Sequence, residues 1–502
     1  METPAPHVRP TLANIIAILA AGIGSFVFGY ANNVIAGTLV QTSFTEKFLS
    51  DDNASSIVGG VLGAFLGGGL LGAIAQAPIS NKFGRRITTA LAAILVIVSG
   101  VLLAASYRIA QFIVGRVMSG LGAGIVIANC PVYMSEIAPP HIRGLMVGNH
   151  AISIVYGYLL SALMALAFHF VDAPYQWRLQ FVLLTFFGLV LLASVFLLPE
   201  SPRWLCEQGR YDESWEVLQK LHQQSDISDT TFATTEMSQI KAQIEAERSM
   251  PRGYMHIART PQLRHRAVCS ILVWIMGQST GILVIANLTA VHFGQLGFSV
   301  TLQLGLSVVW AVCALLGCLV NAALMDGVGR VKLLGYGGYL CSAVMICEAV
   351  LQKFYLGSDH VVGQNAAVAL YFIFVFVYGT TVDCAAYVYV SEIWPTNLRS
   401  QRTTIGLVSF FVCAMAYTSP APVAFDQIGW KYYWVMISIC IISSAAIQLI
   451  APETARLTLE EIDNRFGIPA SRSATELVAP EPGVNSDKPE VVECETAASD
   501  IK

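Results

Sequence analysis

Stretches of about twenty apolar residues recur along most of this 502-residue chain, with few charges inside them. A helix of that length is about 30 Å long and crosses the hydrocarbon core of a bilayer. Hydrophobic residues make up 55% of the chain and charged residues only 12%, so a soluble fold could not keep all these stretches out of water. The pattern predicts an all-α membrane protein that crosses the bilayer many times.

Twelve stretches qualify as membrane spans, and we number them 1 to 12 in chain order. Their predicted bounds are 12–36, 57–80, 87–106, 109–131, 146–169, 178–198, 266–291, 303–325, 332–352, 366–390, 403–424 and 432–451. A polar segment with helical patches, Asp212–His222 and Met237–Arg248, separates spans 6 and 7.

This spacing predicts five parts of the chain. They are a cytosolic N-terminus (1–11), a six-helix bundle (12–198), a cytosolic helical linker (199–265), a second six-helix bundle (266–451) and a cytosolic tail (452–502). After about residue 467 the tail is rich in Pro, Ser, Glu and Ala and has no apolar period, so we expect disorder there.

Lysine and arginine concentrate in the short loops after the even-numbered spans, which places those loops and both termini in the cytosol. The residues are Lys82, Arg85, Arg86, Arg143, Arg330, Lys332, Arg399 and Arg402. The sequon Asn53-Ala54-Ser55 then falls in the first external loop, which predicts glycosylation of Asn53. A glycosylated chain passes through the secretory pathway, and we expect it in the plasma membrane.

Three motifs occur twice, in the same order and at a nearly constant offset. Asn81-Lys82-Phe83-Gly84-Arg85-Arg86 after span 2 returns as Asp326-Gly327-Val328-Gly329-Arg330 after span 8. Tyr133-Met134-Ser135-Glu136 with Arg143 returns as Tyr389-Val390-Ser391-Glu392 with Arg399. Pro199-Glu200-Ser201 returns as Pro452-Glu453-Thr454. The chain is therefore predicted to be a duplicated six-span unit with two pseudo-symmetric halves.

The sequence contains no nucleophile–base pair, phosphate loop or metal-ligand spacing, so we expect no enzyme activity, metal or cofactor. The net charge of -4 gives no indication of nucleic-acid binding. The expected partner of so many apolar spans is the lipid bilayer. We expect a monomer.

The duplicated motifs resemble those of the sugar porter family of the major facilitator superfamily, and its fungal members most closely. Three further segments fit the family: Gly115-Arg116 with Gly120, Gly122 and Gly124, then Gly429-Trp430-Lys431-Tyr432-Tyr433, then Leu459-Glu460-Glu461-Ile462-Asp463. The resemblance extends to about Phe466. It implies two bundles that rock around a site at the membrane midplane and expose it to each side in turn.

The resemblance also implies that charges at the cytosolic ends of the spans gate this motion. Glutamate and arginine recur seven residues apart in both halves and can form bidentate pairs across the interface between the bundles. The predicted gating network contains Arg85, Arg86, Arg116, Glu136, Arg143, Glu200, Arg330, Glu392, Arg399 and Glu453.

At the positions where family members hold sugar, this chain departs from the pattern. The usual aspartate of span 1 is Ala31, the glutamine of span 5 is Ala151, and the asparagine of span 8 is Ala314. Span 7 has Gly277-Gln278 in place of two glutamines, with Leu283 for the asparagine, and span 11 has Phe410-Phe411. Each lost hydrogen-bond partner costs about 1–3 kcal/mol, so the pocket is predicted to be more apolar than that of a hexose carrier.

The predicted substrate-binding residues are Gln278, Asp383, Tyr387, Asn32 and Asn33. Asp383 lies in mid-span, where an ionisable group is rare and usually functional. It can accept a proton, pair with a cationic ligand group, or bind substrate hydroxyls, and it is the candidate for proton coupling. Asn32 and Asn33 are candidates to replace the missing aspartate as uncharged contacts.

Three functions remain open. The first is a secondary-active or facilitative transporter for a small solute, with sugar or polyol implied by the resemblance. The second is an importer or exporter of a less polar metabolite or organic acid, which the apolar pocket favours. The third is a non-transporting nutrient sensor, although sensors of this family have long cytosolic tails and only 35 residues follow residue 467 here.

Overall fold

The computed structural model describes residues 12–50, 52–137, 143–171, 175–222, 231–248, 254–356, 360–394, 399–455, 457 and 459–467. The side chains of Arg143 and Arg399, both predicted gating residues, lie outside the described part, as does the segment after 467 that the sequence predicts to be disordered.

The first half folds into six long helices. Spans 1 to 6 are Leu12–Thr38, Ala54–Phe83, Arg85–Ala104, Ile109–Ile137, Arg143–His169 and Gln176–Ser194. A short helix, Thr42–Phe48, lies between spans 1 and 2.

The second half repeats this pattern. Span 7 consists of Pro261–Ser279 and Ile282–Gln295, span 8 is Val300–Val328, and span 9 is Arg330–Tyr355. Span 10 runs through Val361–Tyr378, a π-helical turn Gly379–Asp383, and Cys384–Glu392. Spans 11 and 12 are Arg399–Thr418 and Tyr432–Ile450, with Ala421–Ile428 and a 3-10 turn Gly429–Lys431 between them, and Leu459–Arg465 follows.

Eleven segments of the described chain are long and apolar enough to cross a membrane. One of these, Thr403–Ile450, contains both span 11 and span 12. The fold is therefore the predicted all-α membrane fold of twelve helices.

Four short helices join the two halves: Pro202–Glu207, Tyr211–His222, Thr231–Arg248 and Tyr254–Arg259. The first three share a small apolar core of Cys206, Leu218, Ala233, Met237 and Ile244. Both helical patches predicted in the linker are thus confirmed, the second starting earlier than expected.

Glycines in spans 2 and 4 let the two backbones touch. A Cβ on Gly68 or Gly72 of span 2 would strike the main chain of span 4 near Val117 and Leu121, and Gly120 of span 4 meets the carbonyl of Phe65 in the same way. Small residues at such spacing allow close helix approach in membranes.

The two bundles meet at the end opposite the duplicated charged motifs, which we call the opposite end. There Ser55 donates a hydrogen bond to Asp426, and Ser419 Oγ donates to the Gly59 carbonyl at 3.1 Å. On the other side of the interface, His169 Nε2 lies 3.1 Å from Thr301 Oγ1. Contacts between spans 2 and 11 and between spans 5 and 8 therefore close the interface at this end.

Three spans differ from the sequence-based prediction. Span 7 is not continuous, because the chain turns through Gly281 at φ 80° between its two helices. Span 10 is a π-helix at Gly379–Asp383, where an α-helix was expected. Span 11 ends at Thr418, two residues before Pro420, which cannot donate a backbone hydrogen bond.

Candidate functional site

A narrow cavity of about 50 Å³ lies between the two bundles near the middle of the spans. Span 1 contributes Phe28 and span 5 contributes Ile154, Val155 and Tyr158. The second bundle contributes the remaining residues, which are Trp274, Gln278, Ile282, Leu283, Trp310, Ala314, Val375, Tyr378, Gly379, Asp383, Tyr387 and Phe410. We call this space the central cavity.

The two irregular backbone segments of the second bundle both border the central cavity. Gln278 is in the last turn of the first helix of span 7, just before the break at Gly281. Asp383 is the last residue of the π-turn in span 10. Interrupted helices are tolerated at membrane depth where they line a cavity, and π-turns often occur at functional sites. The backbone itself therefore singles out this region.

Close packing of spans 8 and 10 fixes the position of Asp383. Gly317 and Gly379 face each other, and a Cβ on Gly317 would come within 2.8 Å of the Phe376 carbonyl. This approach brings the Cys318 thiol to Asp383, to which it donates a hydrogen bond of 3.0 Å. Within the described part of the chain, no basic side chain forms an ion pair with this carboxylate.

Three other polar atoms around the cavity are buried without a hydrogen-bond partner among the described residues. They are the Gln278 side-chain oxygen and the indole nitrogens of Trp274 and Trp310. An unsatisfied buried polar group costs about 1–3 kcal/mol, so it favours a bound molecule that supplies the missing partner. The Gln278 oxygen is a candidate acceptor for such a molecule, whereas the Trp274 indole nitrogen lies close to Gly406 of span 11, where a Cβ would come within 3.2 Å of it.

Aromatic side chains close the cavity toward the charged motifs. The Trp274 ring lies edge-to-face against Tyr387 and Phe410, at centroid distances of 5.0 and 5.2 Å. His150 of span 5 packs on Tyr387 at 5.4 Å, and its Nδ1 lies 2.6 Å from Ser25 Oγ. This layer links both bundles, and a solute leaving in that direction has to displace it.

The structure brings three of the five predicted binding residues, Gln278, Asp383 and Tyr387, to the central cavity. Asn32 instead donates to the Tyr158 hydroxyl at 2.8 Å and holds that ring at the cavity wall. Asn33 donates to the Tyr158 carbonyl at 3.1 Å and lines a separate, smaller cavity of about 10 Å³ nearer the opposite end. Both asparagines therefore position Tyr158, and neither reaches the central cavity itself.

Five aromatic residues that line the central cavity were not predicted from the sequence as binding residues: Phe28, Tyr158, Trp274, Trp310 and Tyr378. Helical spacing contains the signal for three of them. Trp274 precedes Gln278 by four residues, Trp310 precedes Ala314 by four, and Tyr158 follows Ala151 by seven. Residues at these spacings share a helix face.

The charged motifs of the first half form a compact cluster at the other end of the bundles, which we call the charged end. Arg85 makes two hydrogen bonds of 2.8 Å to Glu136, and both side chains are almost fully buried. Glu200 accepts backbone N–H groups of Arg85 and Arg86 at 2.9 and 3.3 Å, capping span 3. Burial raises the pKa of Glu200 above its ordinary value.

The second half repeats this arrangement with more exposure. Arg330 pairs with Glu392 at 3.1 Å and also with Asp326 at 2.8 Å. Thr454 donates to Glu392 at 2.7 Å, and Glu453 accepts the backbone N–H of Arg330 at 2.8 Å. Glu453 therefore caps span 9 as Glu200 caps span 3.

The prediction that Arg116 joins this network is wrong. Arg116 lies twenty residues before Glu136 in the same helix, about 30 Å away along its axis. Its Nη1 donates to the Ala31 carbonyl at 2.9 Å, and its guanidinium stacks 4.3 Å from the Phe65 ring centre. It braces spans 1, 2 and 4 near the opposite end. The described ion pairs of the charged end lie within one bundle each, whereas pairing across the bundles was expected.

Comparisons with known proteins agree with this architecture. The family model described as "Sugar (and other) transporter" matches residues 17–466. An MFS-type transporter, criB of Aspergillus cristatus, is 30% identical over 449 residues, which cover 89% of this chain and 92% of the relative. A high-affinity glucose transporter of Kluyveromyces lactis is 26% identical, over 93% of this chain and 88% of the relative.

The fold is also that of a solved transporter. The major facilitator superfamily proton:xylose symporter XylE, bound to 6-bromo-6-deoxy-D-glucose, aligns with a TM-score of 0.76 over 90% of this chain and 99% of its own. At 24% identity, this similarity supports the twelve-helix fold alone.

Proposed function

The chain belongs to the family of sugar (and other) transporters, and on this premise we propose that it moves a small solute across a membrane by alternating access. The observation that carries the proposal is the central cavity, which lies between the bundles and is bordered by both interrupted helices. Such a site becomes open to one side or the other when the bundles rock against each other.

Sugar or polyol is the first substrate class to consider, since the relatives include a glucose transporter. A second candidate is a less polar metabolite. It is favoured by the lining, in which Phe28, Leu283 and Phe410 stand beside a single amide, that of Gln278. An organic acid is disfavoured, because its carboxylate would be repelled by Asp383 and would find no basic side chain among the described lining residues.

Asp383 is the candidate for proton coupling in this proposal. It is the one carboxylate among the described residues that line the central cavity, and Ala31 occupies the family's usual aspartate position. If Asp383 carries no proton, transport is facilitated diffusion.

The clusters of the charged end are proposed to gate the motion from the cytosolic side. The Arg85–Glu136 pair connects the start of span 3 to the end of span 4. The Arg330–Glu392 pair connects the start of span 9 to the end of span 10. With the charged end in the cytosol, exposed Asn53 at the opposite end faces the outside, as a glycosylated plasma-membrane protein requires.

Uptake of labelled glucose into proteoliposomes, with and without an inward proton gradient, tests the proposal. Wild type is compared with Asp383→Asn. The control is Glu348→Gln, a buried carboxyl of span 9 away from the cavity. Saturable uptake supports a sugar site, and a gradient effect lost only in Asp383→Asn assigns coupling to that residue. If uptake does not exceed that of empty vesicles, the hexose hypothesis is rejected. The remaining hypotheses are then transport of a less polar solute and a non-transporting sensor.

A further inference from the structure

We infer that the central cavity selects an organic cation: a solute with a positively charged nitrogen on an aromatic or apolar body. The inference rests on the proposed transport function and narrows its substrate class. The observations behind it are the surroundings of Asp383 and the other side chains that line the central cavity.

Asp383 is partly exposed to the cavity, and its one hydrogen-bond donor in the described structure is the Cys318 thiol. A carboxylate in an apolar membrane interior is costly unless it is paired. The described lining contains no lysine, arginine or histidine to pair with it. A cation entering the cavity would supply the missing counter-charge.

Glu348 is a carboxyl of the same bundle that lies in a polar cluster and does not line the central cavity. Its Oε1 accepts from Gln352 Nε2 at 3.0 Å, and that amide also contacts the hydroxyls of Tyr371 and Tyr433 at 2.7 and 3.0 Å, while Oε2 is buried without a partner among the described residues. Asp383 differs from Glu348 because it lines the cavity and has only the Cys318 thiol beside it, so a ligand in the cavity can reach it.

The walls of the central cavity suit a cation as well. Trp274, Trp310, Tyr158, Tyr378 and Tyr387 all line it. The electron-rich faces of tryptophan and tyrosine attract cations, and rings grouped around one charge form the aromatic cages that bind quaternary ammonium ions. The same rings accept an aromatic or apolar ligand body, and they provide few partners for the many hydroxyls of a hexose.

One unpaired polar atom adds to this description. The Gln278 side-chain oxygen has no hydrogen-bond partner among the described residues, and Gln278 lines the cavity, so this oxygen can face the positive end of a ligand. The best-matched ligand therefore has one cationic nitrogen on a ring system.

The test uses 1-methyl-4-phenylpyridinium, an aromatic cation whose charge is permanent and cannot reflect proton transfer. Full-length protein is reconstituted into proteoliposomes with a negative-inside potassium diffusion potential, and leak into empty vesicles is subtracted. Wild type should take up the labelled cation saturably. Asp383→Asn should lower the uptake at least about tenfold, the effect of losing roughly 1.4 kcal/mol of ion pairing. Asp383→Glu should restore part of it, and Glu348→Gln should stay within about twofold of wild type.

Uptake that survives Asp383→Asn, or that falls equally in Glu348→Gln, overturns the inference. So does absence of uptake by wild-type protein that is monodisperse before reconstitution. Labelled glucose, measured in the same vesicles, separates the two hypotheses. If glucose moves and the cation does not, the cation site is wrong and the transport proposal stands. If neither moves, the inference is overturned and the transport proposal loses its support for both substrate classes.

Discussion

The charged end and the central cavity follow opposite rules of symmetry. At the charged end each half supplies the same set: an arginine that opens a span, a glutamate that pairs with it, and a second glutamate that caps the helix. In the central cavity, the first bundle contributes four lining residues and the second contributes twelve. The duplicated pattern is therefore kept at the charged end and lost in the central cavity, as the proposed division between gating and solute binding would require.

The charged end and the central cavity also differ in how well their polar groups are satisfied by the chain. The charged end is held by ion pairs and capped backbone groups within the chain, and among its buried polar atoms Arg330 Nε has no partner in the described structure. The side chains that line the cavity include a carboxylate, an amide and two indole groups that are incompletely satisfied by the chain. The proposals above assign gating to the first region and ligand binding to the second.

The largest expected effect compares how much each of the two ion pairs at the charged end contributes to the stability of the protein. The Arg85–Glu136 side chains are 5% and 1% exposed, whereas Glu392 is 26% exposed and Arg330 keeps Asp326 as a second partner. Glu136→Gln strands a buried guanidinium and should cost about 3–5 kcal/mol. Glu392→Gln should cost about 1–2 kcal/mol. Thermal unfolding of purified protein, followed by intrinsic fluorescence, measures both, and equal losses would show that burial does not distinguish the copies.

A second comparison concerns the two glycines that precede spans 3 and 9. Gly84 and Gly329 have φ of 89° and 106°, and a Cβ at either position would meet the capping carboxylate of Glu200 or Glu453. Gly84→Ala and Gly329→Ala should each lower the unfolding free energy by about 2–3 kcal/mol, since backbone strain and steric clash act together.

Gly209→Ala is the matched control for these glycines. Its φ is 77° but no neighbour lies near its Cβ position, so only strain of about 1–2 kcal/mol is expected. The same unfolding assay applies. A loss at Gly209 as large as that at Gly84 and Gly329 would mean that the contact with the capping glutamates adds nothing.

The proposed gating role predicts that Glu392→Gln also changes the balance between the two conformations of the protein. Glu392→Gln releases span 10 from Arg330, so the protein should spend more time open at the charged end and closed at the opposite end. Ser307→Cys places a probe in the small cavity near the opposite end. Its labelling by an impermeant maleimide should slow by up to about tenfold, which corresponds to about 1.4 kcal/mol.

Lys332→Gln is the control for this labelling experiment, because it removes an exposed charge from the first turn of span 9 without removing either member of the ion pair. Labelling of Ser307→Cys that is unchanged by Glu392→Gln, or slowed equally by Lys332→Gln, contradicts a gating role for the pair.

The sequence predicted the repeated part of the molecule better than the unrepeated part. Hydrophobic length placed the twelve spans, and the duplicated motifs identified Glu136 and Glu392 as equivalent residues. The one glutamine kept from the family pattern pointed to Gln278, and a rare mid-span carboxyl pointed to Asp383; both line the central cavity. Arg116 was placed wrongly because a motif gives residue type and order but not depth along a helix.

The break in span 7 and the π-turn in span 10 could not be predicted from hydropathy. Each lies within a span that is apolar along its whole length, so an average over the span does not reveal a local change of backbone geometry. The lining aromatic residues were missed for a related reason: a buried tryptophan has the same hydropathy whether it packs against a helix or faces a cavity.

The smallest expected effect is the pH dependence of the cap on span 3. Burial raises the pKa of Glu200, so the folded protein binds a proton at this position more readily than the unfolded chain does. Stability contributed by this group therefore increases as the pH falls from neutrality through the raised pKa, and it levels off below the ordinary value of 4.5. Thermal unfolding between pH 7 and pH 5, compared with Glu200→Gln, should show wild type gaining about 1–2 °C relative to the variant. A relative loss of stability on acidification would instead mean that the hydrogen bonds from the backbone of Arg85 and Arg86 hold Glu200 ionised, because they outweigh its burial.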